Sequence, residues 1–133
     1  MDSAFLELIR GDYPRFRFRA GKKFAFRPPR TIVYEEGGAE NWSLLLLHEL
    51  SHALLEHASF RMDVERLKME VAAWEKAREL ASKYQIEIGE DLIQGELDTY
   101  RDWLNLKSRC PKCGLTRFQT PDASYHCPLC EGL

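Results

Sequence analysis

Leu44-Leu45-Leu46-Leu47-His48-Glu49-Leu50-Ser51-His52-Ala53-Leu54-Leu55 is the most apolar stretch of the chain, and two histidines and a glutamate sit inside it. The leucine density predicts a helix buried on most sides, running from about Trp42 to Ala58. Glu40, Asn41 and Ser43 supply start signals after the Gly37-Gly38 break. Residues four apart share one face of a helix, so His48 and His52 can present ring nitrogens to a single metal ion at about 2.0–2.1 Å. Glu49 flanks that face, near enough to take a proton from a water without being a ligand itself. Polar groups among leucines cost several kcal/mol to desolvate unless something compensates them, and a metal is the simplest compensation.

A catalytic zinc normally takes a third protein ligand. Ser59 to Asp63 reads as a turn, with Asp63 as the N-cap of a second helix reaching about Tyr84. Two helices joined this way are expected to be antiparallel neighbours. Folding back about Arg61 brings position 70 beside position 52, and Glu70 occupies it. Glu70 also lies on the apolar stripe of its own helix, with Leu67 at i−3, Val71 beside it and Trp74 at i+4. Glu65 and Glu75 are nearby alternatives that read as solvated positions. His57, five residues after His52, reads as a surface or packing histidine.

His48-Glu49-Leu50-Ser51-His52 followed by Glu70 resembles the gluzincin arrangement of zinc metallopeptidases, and the small size is similar to the minigluzincins and the ImmA/IrrE-type metallopeptidases. The likeness spans roughly residues 31 to 104. It implies a zincin-like domain, with His48, His52 and Glu70 as ligands of a catalytic zinc, Glu49 as general base and acid, and a peptide or protein as substrate. Glu70-Val71-Ala72-Ala73-Trp74 is similar to the third-ligand helix of such enzymes.

All four cysteines fall near the C-terminus, as Cys110-Pro111-Lys112-Cys113 and Cys127-Pro128-Leu129-Cys130, with thirteen residues between the pairs. Two such knuckles form the usual four-cysteine zinc ribbon, in which thiolates hold a tetrahedral ion at about 2.3 Å. Four thiolates close the coordination sphere, so this second zinc is expected to be structural. His126, next to Cys127, reads as a surface residue of the ribbon. Two zinc ions per chain are therefore expected, one catalytic and one structural.

The chain has 133 residues, 44% hydrophobic and 30% charged, with a formal net charge of −2. These are ordinary globular values, and they give no global attraction to nucleic acid. No apolar run reaches the roughly 18 residues needed to span a bilayer, and cytoplasm is the expected location. The expected partition is a peptidase domain over residues 1–107 and a zinc ribbon over 108–133.

Before the leucine-rich helix, Arg15-Phe16-Arg17-Phe18-Arg19 and Lys23-Phe24-Ala25-Phe26-Arg27 both alternate. With Ala20-Gly21 as a turn they predict a hairpin whose phenylalanines face the helices, and Thr31–Glu35 predicts a third strand. A third helix, from about Glu90 to Lys107, turns Ile93, Leu97, Tyr100 and Leu104 inward, with Glu96 and Trp103 at the border. Tyr100 is a candidate oxyanion donor and Glu96 a candidate to orient a ligand histidine, although both also fit plain packing. In the resembled peptidases a sheet edge binds substrate as an added strand, and either edge could serve here.

Arg15, Arg17, Arg19, Lys22, Lys23, Arg27 and Arg30 fall within sixteen residues that contain no acid. On an amphipathic hairpin they read as a solvated face. The pairing of this motif with a C-terminal ribbon also resembles SprT-like DNA-associated proteases, but those use a third histidine where this chain offers Glu70. The sequence therefore predicts an α+β protein, a three-stranded sheet with three helices followed by a zinc ribbon, acting as a zinc peptidase. The competing class is a non-catalytic, zinc-stabilised binding or adaptor protein with a possible nucleic-acid partner.

Overall fold

The computed structural model describes residues 3–38 and 40–131. Along the described chain the order is α1 (Ser3–Asp12), β1 (Arg17–Gly21), β2 (Ala25–Arg27), β3 (Thr31–Glu35), α2 (Trp42–Leu54), α3 (Asp63–Tyr84), α4 (Glu90–Ser108), β4 (Phe118–Gln119) and β5 (Tyr125–His126). The architecture is mixed α+β, with four helices where the sequence predicted three. The additional one, α1, buries Phe5, Leu6 and Ile9, an i, i+1, i+4 stripe legible in Ser3-Ala4-Phe5-Leu6-Glu7-Leu8-Ile9.

The predicted hairpin does not form. β1 and β2 each pair with β3 instead, β1 in parallel (Phe18 opposite Ile32) and β2 antiparallel (Phe26 opposite Ile32), giving the order β1-β3-β2. Burial explains the exchange. Ile32, Val33 and Tyr34 are all buried, so β3 can only be central, whereas the arginine-bearing strands tolerate the edges. Ala20 and Gly21, read as a turn, are the last residues of β1, where Gly21 lies opposite Glu35. The alternation itself survives, with Arg17 and Arg19 exposed and Phe18 half-buried.

By its internal packing the chain divides into two units, one drawn from residues 1–58 and 72–90 and the other from 59–71 and 91–133. In the first unit α2 packs on β3 and β2, and Trp42 joins the two elements. Its ring meets Phe24 and Tyr34 edge-on at 6.0 Å each, and its Nε1 donates to the Glu35 carbonyl at 2.6 Å. The first turn of α2 is thereby pinned to the end of β3. Leu44, Leu46, Leu47 and Leu50 are fully buried, each contributing roughly 1.5–3 kcal/mol of apolar burial. At the far side of this unit Tyr84 donates to Asp12 at 2.5 Å, tying the end of α3 to the end of α1. Burial, reinforced by that hydrogen bond, pushes the Tyr84 hydroxyl well above the usual phenol range.

In the second unit Asp63 is the junction. Its buried carboxylate accepts from Tyr125 Oη at 2.7 Å and from Lys107 Nζ at 3.1 Å, and its backbone N–H donates to Gln119 Oε1 at 2.7 Å. The first turn of α3, the last turn of α4 and the small β4-β5 sheet thus meet on one side chain. Ile93 and Leu97 of α4 are buried as the sequence predicted, while Tyr100, Leu104, Glu96 and Trp103 are half-buried.

Gly21 and Gly11 form a matched test of the sheet. A Cβ on Gly21 would overlap Val33 Cγ1, a stiff buried side chain, whereas one on Gly11 meets nothing within 4 Å. Gly21→Ala is expected to destabilise by about 1–3 kcal/mol through overpacking. Gly11→Ala, within α1, is expected to stabilise by roughly 0.5–1 kcal/mol. Urea midpoints of the two variants measure both.

Candidate metal centres

His48, Glu49 and His52 come together on α2, their ligand atoms all within 4.8 Å of one another. Two nitrogens bound to one tetrahedral ion stand about 3.3 Å apart, so small side-chain rotations suffice for both imidazoles to share a metal. The rings are 4.7 Å apart at 62°, with His48 buried and His52 and Glu49 half-buried. Glu49 Oε1 lies 3.6 Å from His48 Nδ1. Trp74 of α3 lies flat on the His48 ring, centroids 3.9 Å apart and planes within 5°, which holds that imidazole in one orientation. Trp74 Nε1 is buried with no hydrogen-bond partner among the described residues. The arrangement keeps the stack at the cost of an unsatisfied donor, on the order of 1–3 kcal/mol.

The sequence extended α2 to Ala58; it ends four residues earlier, and the manner of its ending matters. Glu56 takes the left-handed conformation (φ 57°), its N–H donates to Ala53 O at 3.1 Å, and the His57 N–H donates to His52 O at 3.0 Å. These two bonds make a Schellman motif, with glutamate where glycine is usual. The turn carries the His57 ring back onto His52, Nδ1 to Nδ1 at 2.8 Å. His57 is half-buried with its ring 5.1 Å from that of His52, as a packing histidine would be, and the hydrogen bond is an added contact. A hydrogen bond between two Nδ1 atoms requires one to carry the proton. If His52 carries it, its Nε2 is left as a lone-pair donor for a metal. The signal for His57 was present as a five-residue interval, but only a left-handed residue at 56 makes that interval bring two rings together.

The four cysteines converge in the second unit, with Cys110 Sγ 3.8 Å from Cys130 Sγ and Cys113 Sγ 3.5 Å from Cys127 Sγ. Sulfurs at about 2.3 Å from a shared tetrahedral ion are about 3.8 Å apart, so the cluster already has the dimensions of a four-thiolate site. A disulfide would need about 2.05 Å. The Cys113 and Lys112 amides aimed at Cys110 pull its thiol down to about 6. Hydrogen bonding with Cys113, Cys127 and Cys110 pushes the Cys130 thiol up to about 12. The two thiols are thus shifted in opposite directions by their neighbours. Arg117 secures the first knuckle, its N–H donating to Ser108 O at 2.7 Å and its Nη2 to Lys107 O at 2.9 Å. His126 stands outside the cluster, bonded to Ser124 Oγ at 3.0 Å and Glu131 at 3.2 Å.

Glu70 is buried on α3, 5% exposed, as its place in the apolar stripe implied. Glu96 and Tyr100 lie half-buried on α4. The Arg66 guanidinium stands over the rings of Tyr100 (5.1 Å), Trp103 (4.8 Å) and Phe60 (5.7 Å), a cation–π cluster with no counterpart in the sequence reading. Comparison of the chain with protein-family models, with curated proteins and with solved structures returned no match. Among the described residues no helix is long and apolar enough to cross a membrane.

Tyr125 offers a titration test of the Asp63 junction. Burial, and then the adjacent Asp63 carboxylate, raise its hydroxyl from 10.0 to about 12. A raised folded-state pKa stabilises fully below the unfolded value and is lost as pH climbs through the folded one. The junction is therefore expected to hold up to pH 10 and weaken between 10 and about 12. Phenolate absorbance should show two late-titrating tyrosines, Tyr84 and Tyr125, and Tyr125→Phe should remove the one that titrates near 12 while leaving the later one.

Proposed function

We propose that this chain is a zinc-dependent peptidase of gluzincin type, with His48, His52 and Glu70 holding the catalytic zinc and the four cysteines holding a structural one. The observation that carries the reading is the convergence of His48, Glu49 and His52 on one buried helix with their ligand atoms within 4.8 Å. Glu70 supports it as a buried carboxylate one helical turn before Trp74, whose ring stacks on His48. Zinc in such a site polarises a carbonyl and acidifies a water. Glu49 accepts the proton of the attacking water and passes it to the departing amine nitrogen. His57 acts through His52, accepting its Nδ1 proton and so presenting Nε2 as the ligating atom. Glu96 and Tyr100 are secondary candidates, for orienting a ligand and for stabilising the oxyanion. A peptide or protein is the substrate class that the gluzincin resemblance implies.

Elemental analysis of the purified chain is expected to give two zinc ions. His48→Ala with His52→Ala should leave one, and so should Glu70→Ala if it is the third ligand. Loss of zinc in Glu65→Ala or Glu75→Ala, but not in Glu70→Ala, would move that assignment. Glu49→Gln should keep both ions and the fold while cutting peptide hydrolysis by roughly 10²–10⁴-fold. Hydrolysis at the unmodified rate in Glu49→Gln would remove Glu49 as the base, and no hydrolysis by the unmodified zinc-loaded chain would instead favour a non-catalytic binding protein.

His57→Ala separates the positioning role from packing. Zinc affinity at the histidine site is expected to fall by roughly 10–100-fold, with the cysteine-bound ion unaffected. Partial recovery is expected in His57→Asn, whose amide oxygen can accept the same proton. Competition titration against a chromophoric chelator reads both.

A further inference from the structure

The seven cations between positions 15 and 30 are distinguished by what they do not do. Arg10, Lys76, Arg78, Arg101 and Lys107 make ion pairs, and all five lie outside this segment. Among the described residues Arg15, Arg17, Arg19, Lys22, Lys23, Arg27 and Arg30 make none, although the chain holds 21 acids. All seven side chains are exposed. They leave twelve basic and twenty-one acidic residues for the remainder, a net charge of −9 against +7.

The sheet order turns this run into a surface. Had β1 and β2 formed a hairpin, their arginines would lie on adjacent strands; with β3 between them the cations lie on the two outer strands of a three-stranded sheet. Arg17 and Arg27 both stand opposite Thr31, one on each side, and Arg19 stands opposite Val33 in the next row of the same face. Strand spacing puts the Arg17 and Arg27 backbones about 10 Å apart, with Arg19 about 7 Å along from Arg17. Arg30 lies beside Arg17 through the Arg17 N–H to Arg30 carbonyl bond at 2.8 Å. Lys22 and Lys23 continue the surface past the end of β1. Like charges on neighbouring strands repel, so the face gains from any polyanion laid across it.

We infer that this sheet face binds the phosphate backbone of duplex nucleic acid without reading its sequence. A duplex offers one negative charge per about 1.7 Å of axis, a density suited to cations spaced at roughly 7–10 Å over a flat area. Single strands are favoured by exposed aromatic platforms, and this face presents none: Phe16, Phe18, Phe24 and Phe26 are half-buried. The inference is independent of the peptidase reading.

Fluorescence anisotropy with a labelled random duplex of about 20 base pairs, titrated with the zinc-loaded full chain at several salt concentrations, tests it. Four phosphate contacts would give a log–log salt slope of about −3.6, on the order of 10²-fold weaker binding at 200 mM than at 50 mM salt. Arg17→Glu with Arg19→Glu and Arg27→Glu is expected to abolish binding. The charge-matched control Lys68→Glu with Lys76→Glu and Arg101→Glu should change it only a few-fold. If the first triple variant loses its circular dichroism, Arg17→Gln with Arg19→Gln and Arg27→Gln should still flatten the salt slope. No binding at 50 mM salt, an unchanged slope in the glutamine variant, or equal affinity for polyglutamate of the same charge would overturn the assignment. The last outcome would indicate an acidic protein partner instead.

Discussion

Trp74 lying flat on His48 is the interaction on which the first unit is organised. Stacking at 3.9 Å leaves no room between the second half of α3 and the middle of α2, so it determines which face of each helix turns inward. Ala73, Ala77 and Ala81, all fully buried, continue the same side of α3 with side chains too small to hold a neighbour away. α2 in turn rests on β3, whose Ile32, Val33 and Tyr34 are all buried. An imidazole that the sequence marks as a ligand is therefore also a core residue, and its orientation is inherited from hydrophobic packing.

Much of this was legible in the residues. The helices from Asp63 and Glu90 start where their sequences say, and the spacing of the cysteine pairs anticipated a cluster that could hold a metal. Local pattern suffices for such features, because 3.6-residue periodicity and paired Cys-x-x-Cys knuckles are both short-range. What escaped was non-local or conformational. Strand partners depend on which strand is most deeply buried, a comparison of Ile32, Val33 and Tyr34 with segments on either side of them, whereas alternation reports only which residues face inward. The ring contact of His57 with His52 depends on a single positive φ at Glu56, a residue type that carries no hint of it.

In the second unit the cysteine cluster and the helices are coupled through Asp63 rather than through a hydrophobic core. The β4-β5 sheet has only two residues in each strand, too little to stand alone. Tyr125 and Gln119 come from that sheet, Lys107 from the end of α4, and all three converge on the first residue of α3. Because the carboxylate is buried, removing one partner exposes the others to the desolvation cost of what remains. The small sheet thus adjoins the four-cysteine cluster on one side and is tied to Asp63 on the other.

The separation of charge gives the molecule an electric asymmetry that its pI of about 6.1 conceals. The nearly neutral sum is built from a cluster of seven cations on and beside one sheet and a remainder in which acids outnumber bases. At low ionic strength such a cluster can hold the protein on a cation exchanger even where its net charge is negative. Its retention on ion exchangers will then follow local charge density rather than net charge. Because exposed charges are screened within about 10 Å at 0.1 M salt, modest salt will erase that retention.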